Sequence, residues 1–306
     1  MIYSCYPKFK VSAKSKQWLK EFTFVDMSLT NKGVISLLGC GWLGYPLAKS
    51  LISQGFIVRG TTTTPAKLEL LQSEGIDSYL VHFTNDVSIP DLKKFFKAEI
   101  LIITIPPDRR NPNGFDNYKR MIQYVCSQIQ HSEISKLILI SSTSVYPDSK
   151  EVVDELSMVL PDTESGRLMA DTENLLNKLD VNVISLRLAG LIGPGRMPGK
   201  FFAGRSKIPN GLSPVNLIHS NDVIGIINCL VKDRNAAGIY NGCAPTHPCK
   251  DEFYTLAAEL EGLEKPDFKS ENTGGKVISS PRLTEELNYH FEIPSLMDWL
   301  YSLRKS

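Results

Sequence analysis

Gly39, Gly41 and Gly44 stand in the spacing Gly-x-Gly-x-x-Gly inside KGVISLLGCGWLG, residues 32–44. The chemistry that spacing serves is capture of a dinucleotide pyrophosphate. Gly39 permits a tight turn out of an apolar run, Gly41 lets main-chain N–H groups approach phosphate with no Cβ between, and Gly44 lets the following helix pack close. The expected contacts are the main chain at Gly39, Cys40, Gly41, Trp42, Leu43 and Gly44. An ordinary strand-to-helix turn also uses glycine. Here, however, an apolar run precedes the glycines, the helical pattern Leu43, Leu47, Leu51 follows with Gly55 as its cap, and a second apolar run comes next, which is the context the motif requires.

The second group is the tip Arg59-Gly60-Thr61-Thr62-Thr63-Thr64. A carboxylate about 20 positions past the glycines would hold the ribose 2′-hydroxyl of NAD, and none appears before Glu69. Without that acid a 2′-phosphate is not repelled, and Thr61, Thr62 and Thr63 with Arg59 or Lys67 suit it through charge-assisted hydrogen bonds. NADP is the expected cofactor, with NAD possible; the alternative is a threonine-rich turn that touches nothing charged. Ile105 and Pro106, in ITIPPDRR, fall on the cofactor side, and Arg109 and Arg110 after them either bind a substrate phosphate or are solvated.

Positioning these groups takes a sheet. Apolar runs at 34–38, 57–60, 79–82, 100–105, 137–141 and 183–187 alternate with helical patterns at 65–74, 89–96, 115–130 and 164–179. Nearly continuous Ile, Leu and Val content means cover on both faces, hence a central parallel sheet. Past Leu188 the texture changes to short pieces broken by Gly and Pro, GLIGPGRMPG and KIPNGLSPVN, with helical patterns returning at 221–231, 250–261, 284–287 and 296–300. The fold class expected is α/β, a Rossmann-type doubly wound parallel sheet with a smaller C-terminal substrate lobe. The divisions are 1–31, an extension; 32–187, dinucleotide-binding; and 188–306, the lobe with interleaved C-terminal elements. Met27, five residues before the first strand, is read as the natural start, with the upstream segment disordered or loosely packed.

The 306 residues carry a formal net charge of +1 with no long basic run, so nucleic acid and anionic membranes have no electrostatic footprint here. A small-molecule substrate is the expected partner. No apolar run reaches the ~20 residues of a bilayer span, and the N-terminus lacks a signal-peptide core; a cytoplasmic monomer or homodimer is expected. Six cysteines lack zinc-site or disulfide spacing, and no metal is expected at Cys243, His247 and Cys249, where the prolines mark a loop.

Together with GCGWLG, the segments LILISSTSVYPDS, RLAGLIGPGR, NLIHSNDVIGII and AAGIYNGCAP carry a resemblance to the extended short-chain dehydrogenase/reductase superfamily, in its NAD-dependent epimerase/dehydratase group. From Gly33 onward the chain looks most like an atypical branch with a GxGWLG turn, labelled nucleoside-diphosphate-sugar epimerases. The resemblance implies a Ser that orients the substrate oxygen, a Tyr acting as acid and base, and a Lys four residues later. Ser142 matches the first, or is only a hydrogen-bonded residue at a strand end. Anchoring the family's Tyr-x-x-x-Lys-x-x-x-Glu on Glu173 puts Ser165 in place of Tyr and Met169 in place of Lys. A serine hydroxyl is a far weaker acid than a phenol of pKa ~10, and methionine has no charge for an oxyanion. Tyr146, just beyond Ser142, is the remaining candidate acid, or a packing residue.

Gly190 replaces a family asparagine that touches substrate, whereas Arg187, Gly193 and Pro194 match as supports of a turn. His219 and Asp222 match a His-x-x-Asp that fixes a loop, and Asp222 also suits the N-cap of the next helix. Arg196, Lys200, Arg205 and Lys207 would suit an anionic substrate, or are ordinary surface cations. Two functions follow. One is an NAD(P)-linked reductase or epimerase/dehydratase-like enzyme on a small anionic, nucleotide-sugar-type substrate; the other is a non-catalytic NADP-binding protein.

Overall fold

The computed structural model describes residues 32–84, 89–149 and 151–304; the extension and the Met27 start lie outside the described residues. Its strands are β1 (Val34–Leu38), β2 (Ile57–Thr62), β3 (Asp77–Leu80), β4 (Ile100–Ile103), β5 (Lys136–Ser142), β6 (Val152–Val153), β7 (Asn182–Leu188), β8 (Gly190–Ile192), β9 (Leu217–His219), β10 (Gly238–Gly242) and β11 (Val277–Ile278). Seven form one sheet in the order β10-β7-β5-β4-β1-β2-β3, all parallel. Side chains of a strand alternate between its faces, and this sheet is covered on both. Leu38, Leu101, Ile103, Leu137 and Leu139 enter one core, while Ile35, Leu37, Ile102, Ile138, Ile184 and Leu186 enter another. The strand order reverses between β1 and β4, opening a crevice at the strands' carboxyl ends.

The helix after β1 spans Gly44–Ser53, so Pro46 sits in its first turn and removes no intrahelical hydrogen bond. Gly55 follows in a left-handed conformation, φ +92°, as the capping pattern requires.

Several boundaries differ from the sequence expectation for local reasons. β3 begins at Asp77 because Arg59 pairs with it in register. β4 stops at Ile103 because Thr104 turns back, its amide donating to the Leu38 carbonyl and its hydroxyl to that of Gly39. The helix expected at 89–96 is confined to Lys93–Phe96, since Pro90 supplies no N–H and Asp91 accepts from the Lys93 amide. The segment AAGIYNGCAP, read as a turn, contains β10, which completes the sheet by pairing with β7.

Beyond Leu188, Ile192, Val215, Leu217, Phe253, Ala257, Leu296 and Leu300 share a third apolar cluster. Among the described residues no helix is long and apolar enough to cross a membrane.

Candidate functional site

The fold requires two glycines of the turn, for different reasons, and leaves space at the third. At Gly39, φ is +110° and a Cβ would lie 2.6 Å from the Ile105 side chain. At Gly44 a Cβ would lie 1.9 Å from the Gly39 carbonyl oxygen, so the helix could not approach. At Gly41 a Cβ would meet nothing within 4 Å; it would project into open space. No side chain caps the Gly44–Ser53 helix, and its first-turn amides together with the helix dipole form an anion-binding end. Burial pushes the Cys40 thiol up to about 12, which leaves it unreactive inside the turn.

That open space belongs to a cavity of about 1030 Å³. It is lined by all of the turn from Gly39 to Gly44, by Thr61, Thr62, Thr63 and Lys67, by Ile105 and Pro106, and by Ser142. The sequence-assigned cofactor residues thus converge on one crevice at the strand-order reversal.

Their roles divide. The Thr61 hydroxyl accepts from the Gly39 amide at 2.9 Å and the side chain is buried, so it braces the turn. The Thr62 hydroxyl accepts from the Thr64 amide at 3.1 Å. Thr63 and Lys67 are exposed on the cavity wall. Arg59 is elsewhere: its guanidinium donates to the Lys97 carbonyl and lies 3.7 Å from Asp77. Of the loop cations, Arg196 lines the cavity, together with Arg109 and Arg110, whereas Lys200, Arg205 and Lys207 do not.

At the end of β5, the Ser142 hydroxyl accepts from the Ser144 amide at 3.2 Å and caps a single 3-10 turn, Thr143–Val145. That turn carries Tyr146 away from the cavity, correcting the expectation that it serves as the acid. The Tyr146 phenol is 1% exposed, donates to Asn241 Oδ1 at 2.8 Å and accepts from Arg187 Nη1 at 2.9 Å. Burial pushes its pKa up against the opposing pull of Arg187. Asn241 lies on β10, which the sequence reading took for a turn.

Ser165 and Met169 do line the cavity, on the helix Glu164–Leu176. The two positions that the resemblance assigns to the dyad therefore face it, and neither residue carries the dyad's chemistry. The expected N-cap at Asp222 is supplied instead by His219, whose Nδ1 accepts from the Asn221 amide at 3.2 Å. Asp222 accepts from the Tyr289 hydroxyl and the Glu292 and Ile293 amides, fixing the loop near the C-terminus.

Sequence reasoning missed two features. Trp42 Nε1 donates to the Pro194 carbonyl at 2.7 Å, and the Arg196 guanidinium lies 5.7 Å from the Trp42 ring centroid, so the loop after β8 is tied over the glycine turn. Lys276 also lines the cavity, its Nζ donating to the Tyr146 carbonyl at 2.7 Å. No local motif marks it; only the parallel pairing of β11 with β6 brings it there.

A seven-stranded parallel sheet in this order, with a glycine turn and an uncapped helix at its reversal, defines the fold of the extended short-chain dehydrogenases/reductases and the NAD-dependent epimerase/dehydratase group. Solved structures that share it include the UDP-glucuronic acid 4-epimerase of Bacillus cereus in complex with NAD (TM-score 0.73, 17% identity, 89% of this chain and 96% of that one). Another is the human epimerase family protein SDR39U1 with NADPH (TM-score 0.67, 16% identity, 89% and 99%). No protein-family model matches the chain. The chain belongs to the family of Protein YeeZ of Escherichia coli K12, with which it is 40% identical over 265 residues, 85% of this chain and 96% of that protein.

Proposed function

We propose that this protein binds NADP in the crevice between β1 and β4 and acts as an NADP-linked reductase or epimerase/dehydratase-like enzyme on a small anionic substrate of nucleotide-sugar type. The observation that carries this reading is the open space at Gly41 in front of an uncapped helix, a cradle that a Cβ would fill and that pyrophosphate oxygens suit. Main-chain amides of residues 41–44 would hold the pyrophosphate, Thr63 and Lys67 a 2′-phosphate, and Ile105 and Pro106 the apolar faces of the dinucleotide. The nicotinamide, when bound, exchanges a hydride with a substrate carbon. Ser142 offers a hydroxyl to orient the substrate oxygen beside it. The named neighbours support a nicotinamide dinucleotide in this crevice, one holding NADPH and the other, a UDP-glucuronic acid 4-epimerase, holding NAD.

The experiment is titration of the protein with NADPH and with NADH, followed by Trp42 fluorescence, then NADPH oxidation with nucleotide-sugar and simpler carbonyl compounds in wild type and Ser142→Ala. Absence of dinucleotide binding sinks the reading. Tight binding with no turnover in either form selects the second reading, a non-catalytic NADP-binding protein, which Ser165 and Met169 at the dyad positions favour.

A further inference from the structure

We infer that Lys276 is the substrate-recognising cation of this cavity, binding an anionic oxygen, carboxylate or phosphate, of the small molecule beside the Ser142-Ser144 turn. The inference rests on the reading above of the cavity as a substrate-binding crevice, and concerns its far end.

Five cations, Lys67, Arg109, Arg110, Arg196 and Lys276, line the cavity against the carboxylate of Asp108. Lys67 follows β2, on the side where a 2′-phosphate would sit. The carbonyl anchoring Lys276 follows β5, three strands away in the sheet order, an offset of roughly 14 Å at the usual interstrand spacing. One anionic group cannot satisfy both.

Lys276 is also held firmly. Its carbonyl accepts from Asn216 Nδ2 at 2.8 Å, the next amide donates to the Glu151 carbonyl at 3.0 Å, and the preceding Gly275 has φ +112°. An ammonium carries three donors, and among the described residues Nζ has one partner, the neutral Tyr146 carbonyl. Asp148 and Asp162 act on it through space without an ion pair within 4 Å, and burial holds its pKa below the usual lysine value. A half-buried cation with spare donors gains from an anionic acceptor.

A second group at the same end lacks a partner. Ser144 lines the cavity, and its buried hydroxyl oxygen has no hydrogen bond among the described residues, a deficit worth explaining in any native fold. A ligand oxygen beside the turn would take up the spare donors of Lys276.

The test is trace acetylation of the whole protein with acetic anhydride, resolved lysine by lysine through peptide mass, with and without NADPH. The competitors are glucuronate, glucose 6-phosphate and neutral glucose at equal ionic strength. Protection of Lys276 by one or both anions and not by glucose is expected, and which anion protects names the source of the charge. Lys276→Met should weaken calorimetric binding of the protecting anion by about tenfold or more, the worth of one charged hydrogen bond, with NADPH affinity unchanged. Equal labelling of Lys276 under all three sugars overturns the inference. Protection of Lys67 by NADPH reports the dinucleotide site separately, so failure of the cofactor reading and failure of this one leave different lysines unprotected.

Discussion

Glu173 and Arg187 meet in the interior with Oε2 and Nη2 2.6 Å apart, both side chains almost wholly buried. The Ser141 hydroxyl donates to the same carboxylate at 2.5 Å, and the Tyr146 phenol receives the remaining arm of the guanidinium. This pair locks the Glu164–Leu176 helix to β7 in one register, which is why residues four and eight positions before Glu173 are aimed into the cavity.

Removing one partner strands a buried charge, at a cost of about 3–5 kcal/mol. Arg187→Met should lower urea stability by that amount, and adding Glu173→Met should recover part of it. A double variant no more stable than the single one would show that the hydrogen bonds to Ser141 and Tyr146, rather than the charge, set the cost.

Gly41→Val should leave the fold intact, because the new side chain meets open space, and abolish the Trp42 fluorescence change with NADPH. The thermal midpoint is expected within a few degrees of wild type. Unchanged affinity would move the pyrophosphate away from this turn.

The two ends of the threonine tip should behave differently. Thr61→Val removes the acceptor of the Gly39 amide and should destabilise the protein by ~1–3 kcal/mol, weakening NADP and NAD alike. Lys67→Ala should weaken NADP alone, with a loss that shrinks as salt rises. Equal loss of both cofactors in Lys67→Ala would place the 2′-phosphate elsewhere.

His219 gives a pH dependence with a definite sign. Burial holds its pKa below 6.5, against the pull of Asp222 and Glu292, and its neutral Nδ1 caps the helix Ser220–Lys232. A depressed folded pKa means the stabilisation is full above the unfolded value of about 6.5 and disappears as pH falls through the folded pKa. Urea midpoints should therefore drop on moving from neutral to mildly acidic solution. His219→Asn, a cap that does not titrate, should flatten that part of the slope; an unaltered slope would assign it to other groups.

What the sequence made legible is what local pattern encodes. The continuous Ile and Leu runs of β1, β4 and β5 announced a doubly covered sheet, and the glycine spacing announced the turn at its reversal. β10 escaped because Gly238 and Gly242 flank only three residues, a pattern that reads as a turn until β7 is there to pair with it. Tyr146 was misplaced because the direction of a side chain just past a strand depends on the next turn, here a 3-10 turn capped by Ser142. Thr61 was assigned to the cofactor by residue type, and no local pattern showed that its hydroxyl also accepts from the Gly39 amide. Lys276 had no local signal at all, since only tertiary pairing carries it to the cavity.

The position of β10 also dictates an order of events during synthesis. β7 ends at Leu188, yet the strand that shields its outer edge begins at Gly238. While the intervening segment is still being made, that edge presents unpaired backbone donors and acceptors, a template for strands of other chains. Asn241, the acceptor for the Tyr146 phenol, arrives with the same late strand. A nascent chain truncated before residue 238 thus lacks both the edge cover and the acceptor for a buried phenol, which leaves the β7 edge open to other strands until β10 docks.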